Sequence, residues 1–183
     1  MITHGGKLTV QRPPRYLPAR MTATEIYESD TNGGASDFAE IVAVLNRHEP
    51  WCLIGGLAVN CFVEPVYTTD VDIIVVATSL ERIERELKAV GFRAQRPGSK
   101  LNVQFTTDDR YQDFLGNLTG REVLGVVVPV ASLENIVHGK VWAWQDEQRR
   151  STKRKKDELD LMRIAESHPE LRELIPAEIV KQL

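Results

Sequence analysis

The pairs of residues most suited to chemistry begin with Asp70-Val71-Asp72, which opens the apolar run Ile73-Ile74-Val75-Val76. Side chains alternate along a strand, so Asp70 and Asp72 project from one face while Val71 and Ile73 project from the other. Two carboxylates side by side at the mouth of a buried strand repel each other. A divalent cation removes that repulsion, and Mg²⁺ characteristically takes one or two carboxylates together with substrate phosphate oxygens. The competing account is a pair of exposed strand-end aspartates.

Two further places gain meaning beside it. Gly55-Gly56 follows the apolar segment Trp51–Ile54. Glycines ahead of a helix let backbone approach a phosphate closely, although an ordinary tight turn has the same composition. Lys140 falls seven positions after Leu133 and four after Ile136, on the apolar stripe completed by Val137, Val141 and Trp144. A lysine there either snorkels to the helix edge or reaches an anion such as a triphosphate. Beyond it, Asp157 and Asp160 share a helix face. Lys153 and Lys156 each stand four residues before one of these acids, the spacing of surface salt bridges.

The elements that must position these residues follow from periodicity and punctuation. Ser36 is a candidate cap for a helix with apolar residues at Phe38, Ile41, Val42 and Leu45, ended by Pro50. Trp51–Ile54 reads as a short strand, Gly55-Gly56 as a turn, and Leu57–Phe62 as a short helix. Asp70–Val76 reads as a buried strand. Thr78 and Glu81 form a capping-box pattern before Leu80, Ile83, Leu87 and Val90, and Gly91 stops that helix. Phe92–Ala94 reads as an edge strand and Leu101–Thr106 as a half-buried strand. Glu122–Val130 reads as one strand with a bulge at Gly125. Helices are expected from Ser132 to Trp144, from Thr152 to Glu166 and near Glu170–Leu174. The expected class is α/β (α+β), with a helical carboxy-terminal portion.

Residues 1–36 carry two Gly-Gly pairs and a Pro-Pro without a sustained period, and read as a flexible amino-terminal arm with one ordered piece around Leu8–Val10. Residues 37–183 read as one domain. The net charge of −3 excludes a dominant nucleic-acid footprint, the local exception being the run Arg149–Lys156. Cys52 and Cys61 sit in apolar context and read as buried free thiols. With no bilayer-length apolar stretch and no secretory leader, a cytoplasmic protein without a membrane partner is expected.

Taken in order, Ile54-Gly55-Gly56-Leu57-Ala58, Thr68-Thr69-Asp70-Val71-Asp72, Leu133-Glu134 through Lys140, and Lys156-Asp157 through Asp160-Leu161 resemble the nucleotidyltransferase superfamily related to DNA polymerase beta. The likeness spans about Phe38 to Glu166 and is greatest to the AbiEii/AbiGii-type toxin nucleotidyltransferases. It implies a mixed sheet flanked by helices, with Mg²⁺ or Mn²⁺ on Asp70 and Asp72. It also implies NTP phosphates over Gly55-Gly56, with Thr69 beside them. In the toxin-like branch Lys140 and Asp157 join the site, Asp160 competing with Asp157. The implied reaction is attack by an acceptor on the α-phosphate with release of pyrophosphate.

Two departures accompany this likeness. Val66 stands where members often carry a basic residue. The strand Leu101–Thr106, a natural source of a third carboxylate, offers Asn102, Gln104 and Thr106, with Asp108 and Asp109 only beyond its end. An amide accepts a metal bond but cannot act as a base. The expected function is therefore nucleotide transfer from an NTP to an unknown acceptor: tRNA, protein or small molecule. A toxin controlled by a cognate antitoxin is one form of this. The alternative is a weak or inactive nucleotide-binding or interaction module of the same fold.

Overall fold

The computed structural model describes residues 8–11, 37–66, 68, 70–94 and 101–183. Strand β1 (Leu8–Gln11) precedes a helix over residues 37–45 (α1). Next come β2 (Trp51–Ile54), α2 (Gly55–Val59), β3 (Asp70–Val75) and α3 (Ala77–Ala89). The two-residue β4 (Arg93–Ala94) and β5 (Asn102–Thr106) lead into a 3-10 stretch, Asp109–Gly116. A hairpin of β6 (Leu118–Val123) and β7 (Val126–Ala131) is followed by α4 (Leu133–Gln145) and α5 (Ser151–Ser167). A second 3-10 stretch, Pro169–Leu174, and the short α6 (Ala177–Val180) end the chain.

The strands form one mixed seven-stranded sheet in the order β4-β1-β5-β3-β2-β7-β6. The α/β class and helical carboxy-terminal portion expected from the sequence are those observed. One strand, β1, comes from ahead of residue 37 and pairs antiparallel with both β4 and β5. The remaining residues before 37 lie outside the described residues, and the cap assigned to Ser36 lies with them.

The core follows from the alternation in the strands and the stripes on the helices. Val71 and Ile73 on β3, Val103 and Phe105 on β5, and Trp51 and Leu53 on β2 are fully enclosed. Phe38, Ile41, Val42 and Leu45 give α1 its buried stripe, and Ile83 and Leu87 anchor α3. Ser132 caps α4, its Oγ accepting from the amide of Asn135 at 3.3 Å. Among the described residues no helix is long and apolar enough to cross a membrane.

Three local expectations are corrected. The helix after β2 begins at Gly55 itself, so the glycines open the helix instead of forming a separate turn. Helix α3 starts at Ala77 with Val76 as its cap residue and no side-chain cap. Thr78 is therefore already inside the helix and no capping box forms. Glu122–Val130 is not one bulged strand but parts of two, reversing at Leu124-Gly125.

Both turn residues have positive φ, 50° at Leu124 and 85° at Gly125. A two-residue hairpin turn with both residues in that region favours Asn-Gly, and a leucine is strained there. Leu124→Asn is therefore expected to stabilise the protein by about 1 kcal/mol. Urea denaturation checks this, and a lowered midpoint would count against the turn.

Candidate active site

The site is built where β2, β3 and β5 lie side by side. Asp72 is paired with Ile54 on one side and Gln104 on the other, and Asp70 is paired with Asn102. The parallel register of β3 and β5 therefore sets two carboxylates beside two amides on the same face. Asp70, Asp72 and Gln104 border a cleft of about 170 Å³ closed from the other side by α4 and α5. Lys140 and Asp157 reach this cleft from those two helices, and Gly55 borders it from α2.

Asp70 has a partner on each oxygen. Asn102 Nδ2 donates to Oδ1 at 3.0 Å and Lys153 Nζ donates to Oδ2 at 2.6 Å. Lys156 Nζ stands 4.0 Å from the same Oδ2 and donates to Thr68 Oγ1 at 3.2 Å. Burial pushes the Asp70 carboxyl upward, but the bonds from Lys153 and Asn102 outweigh it and hold the group below its ordinary range.

Lys140 is 7% exposed and does not snorkel. Its Nζ donates to Asp157 Oδ1 at 2.9 Å and stands 2.6 Å from Asp160 Oδ2, an oxygen whose partner is this charge without an aligned hydrogen bond. Burial disfavours the ammonium, yet Asp160 and Asp157 together raise its pKa above the ordinary lysine value. Each acid has a second cation: Arg149 Nε donates to Asp157 Oδ2 at 2.7 Å and Arg163 to Asp160 Oδ1 at 2.8 Å. Arg163 also bonds Asn60 and the carbonyl of Glu64, tying α5 to the loop after α2.

The cleft's polar wall can hold a hard, oxygen-liganded cation. Two carboxylates on one face suit Mg²⁺ or Mn²⁺ that completes its shell with phosphate and water. Among the described residues no group of three or more His, Cys, Asp or Glu is arranged to hold a metal alone.

Neither a protein-family model nor a curated protein sequence matches the chain. Among solved structures it is similar to the antibiotic-resistance factor ANT(2'')-Ia, with a TM-score of 0.55 and 16% identity over 83% of this chain and 94% of that one. The chain has the nucleotidyltransferase fold. Two further structures are an antigenic nucleotidyltransferase-like protein from Paracoccidioides brasiliensis (TM-score 0.49, 13% identity, 85% of this chain and 98% of that one) and JHP933 from Helicobacter pylori (0.48, 15%, 90% and 74%).

Within this nucleotidyltransferase fold, the residues singled out in the sequence are distributed unevenly. Asp70, Asp72, Gly55, Lys140 and Asp157 share the cleft. Gly56 does not border it; its α-carbon faces Asp160, Lys156 and Thr68 at 3.7–3.9 Å from where a side chain would begin. Asp160 engages Lys140 from behind. Thr69 lies outside the described residues. Asp108 is bound by its neighbour Arg110 at 2.8 Å and lines a second cleft of about 510 Å³ instead. The position beside Asp72 on β5 is held by Gln104.

Lys153 and Arg149 border the cleft and were not among the residues selected from the sequence. The expected pairs Lys153–Asp157 and Lys156–Asp160 do not form. Lys153 turns to Asp70 across 83 positions, while Asp157 and Asp160 are taken by Lys140 and the two arginines. The only sequence signal was an excess of cations over acids in Arg149–Lys156.

Gly55 is fixed by two constraints. Its φ is +74°, and a Cβ built on it would lie 2.1 Å from Asp72 Oδ2. Gly55→Ala should therefore displace the Asp72 carboxylate and cost about 1 kcal/mol or more of stability. Mn²⁺ titration of the folded variant checks the first effect. Wild-type Mn²⁺ affinity would show that Asp72 is not held against this glycine.

Proposed function

We propose that the chain is a Mg²⁺- or Mn²⁺-dependent nucleotidyltransferase that moves a nucleoside monophosphate from an NTP to an acceptor. The observation that carries this reading is the single cleft shared by Asp70 and Asp72 of the sheet and by Lys140, Arg149 and Lys153 of the helical layer. Asp70 and Asp72 would hold the metal; when bound, it would supply Lewis-acid polarisation of the α-phosphate and neutralise the leaving pyrophosphate. Lys140, kept charged by Asp157 and Asp160, would place a fixed positive charge against the triphosphate as negative charge develops. Asp157 would act by positioning Lys140 and Arg149. Gly55 would give the phosphates close access to backbone.

The acceptor would enter through the second cleft, which shares Thr106, Tyr111, Ala143 and Arg149 with the first. A small molecule or peptide suits that space. A tRNA acceptor is less favoured, because half of the basic run is half-buried and tied to the fold: Arg149, Lys153, Arg154 and Lys156 each bond a group of it. A toxin of the AbiEii type with a cognate antitoxin, acting in the cytoplasm, remains the finer form of this proposal.

A second reading, a nucleotide-binding module without turnover, is favoured by Gln104 beside Asp72, where a third carboxylate would serve as base. The test is incubation with each labelled NTP, Mg²⁺ or Mn²⁺, and pools of tRNA, protein and aminoglycosides. Label on an acceptor supports transfer. Metal-dependent NTP binding without transfer supports the second reading, and absence of binding overturns both.

A further inference from the structure

We propose that Lys153 is a positioning residue that couples metal binding to polyphosphate binding, an inference resting on the nucleotidyltransferase reading of the same cleft. Both oxygens of Asp70 are engaged, Oδ1 by Asn102 and Oδ2 by Lys153. A cation arriving at Asp70 competes with both of them for the carboxylate's lone pairs and charge. Asn102 is fixed opposite Asp70 by the strand register. Lys153 reaches Asp70 on a flexible stem from α5, its side chain 41% exposed. It also opposes the incoming cation by like charge, so it is the partner that gives way.

The displaced ammonium then needs a counter-charge. Asp157, the acid nearest it along α5 that borders the cleft, already meets Lys140 and Arg149. Asp72 and Asp70 would be spent on the metal. The remaining anion is the polyphosphate that arrives with the metal. Metal alone therefore meets a competing ammonium, whereas a metal–polyphosphate complex supplies both the cation for Asp70 and the anion for Lys153. The two ligands help each other bind, and that help is reciprocal.

The experiment compares wild type with Lys153→Met and Lys155→Met. Lys155 carries the same charge on the same helix but bonds Glu158, outside the cleft. Electron paramagnetic resonance measures binding of Mn²⁺ alone, and calorimetry measures binding of preformed Mn²⁺–tripolyphosphate. In Lys153→Met, Mn²⁺ alone is expected to bind about two- to fivefold tighter, the size of a lost half-exposed ion-pair competitor. Mn²⁺–tripolyphosphate is expected to bind roughly tenfold weaker, the size of a lost charged contact. Lys155→Met should change neither. A folding defect would weaken both measurements in Lys153→Met, and that result overturns the proposal. Equal tightening of Mn²⁺ in Lys155→Met reduces the effect to net charge and also overturns it. Wild-type values in Lys153→Met, with Mn²⁺ still bound, defeat the coupling alone. Absence of Mn²⁺ binding in every form defeats the metal reading as well.

Discussion

Asparagine at Asp70 or Asp72 is expected to abolish Mg²⁺-dependent NTP binding and to lower any transfer rate by about a hundredfold or more, the scale of losing a preorganised charge contact at a reacting phosphate. The fold should survive both changes. Asp72→Asn relieves repulsion between neighbouring carboxylates and should leave the melting temperature level or raised. Asp70→Asn gives up the bond from Lys153, but a half-exposed pair contributes only about 1 kcal/mol or less. Calorimetry with MgATP and a thermal melt, run on the same preparations, separate the two effects. Unchanged Mg²⁺-dependent affinity in both variants would remove these aspartates from the site.

Lys140→Met is expected to act first on stability. Methionine matches the apolar stem, so a lysine that merely reached toward a ligand would be replaced at little cost. The ammonium here is instead the shared cation between Asp157 and Asp160. Removing one member of a buried charged set leaves the others uncompensated and costs about 3–5 kcal/mol. Arg149 and Arg163 remain beside the two acids, which places the expected loss at about 3 kcal/mol. Urea denaturation measures it, and the double change Lys140→Met with Asp160→Asn should recover part of it by removing an orphaned negative charge. A single variant as stable as wild type would show that the arginines alone suffice. Loss of transfer in a preparation still folded at the assay temperature would then report the charge's role at the phosphates.

The site was legible in the sequence wherever a local period carries the information. The two-residue alternation of β3 places Asp70 and Asp72 together, and the helical period puts Lys140 on the inner stripe of α4. The alternation in β5 likewise identifies the polar face of Asn102 and Gln104. What was not legible depends on partners distant in the chain. Lys153 has an acid four residues on, and nothing local says that its bond goes to Asp70 instead. Asp157 and Asp160 look equivalent in sequence; only the approach of α4 shows one facing the cleft and the other behind Lys140. The hairpin at Leu124-Gly125 was hidden because leucine is an unusual residue at positive φ, so Gly125 by itself suggested a bulge. Thr78 carried the pattern of a cap, but the cap position of α3 falls two residues earlier, at Val76.

The charged set between α4 and α5 also governs how this sequence can diverge. Three cations, Lys140, Arg149 and Arg163, enclose two acids, Asp157 and Asp160. No member can turn neutral without leaving a neighbour's charge less compensated in a medium that stabilises it poorly. Substitutions there are tolerable in concert and costly one at a time. Sequence drift at these five positions is therefore expected to be correlated across the two helices and the segment joining them, with the order of replacements constrained even where each end state is stable.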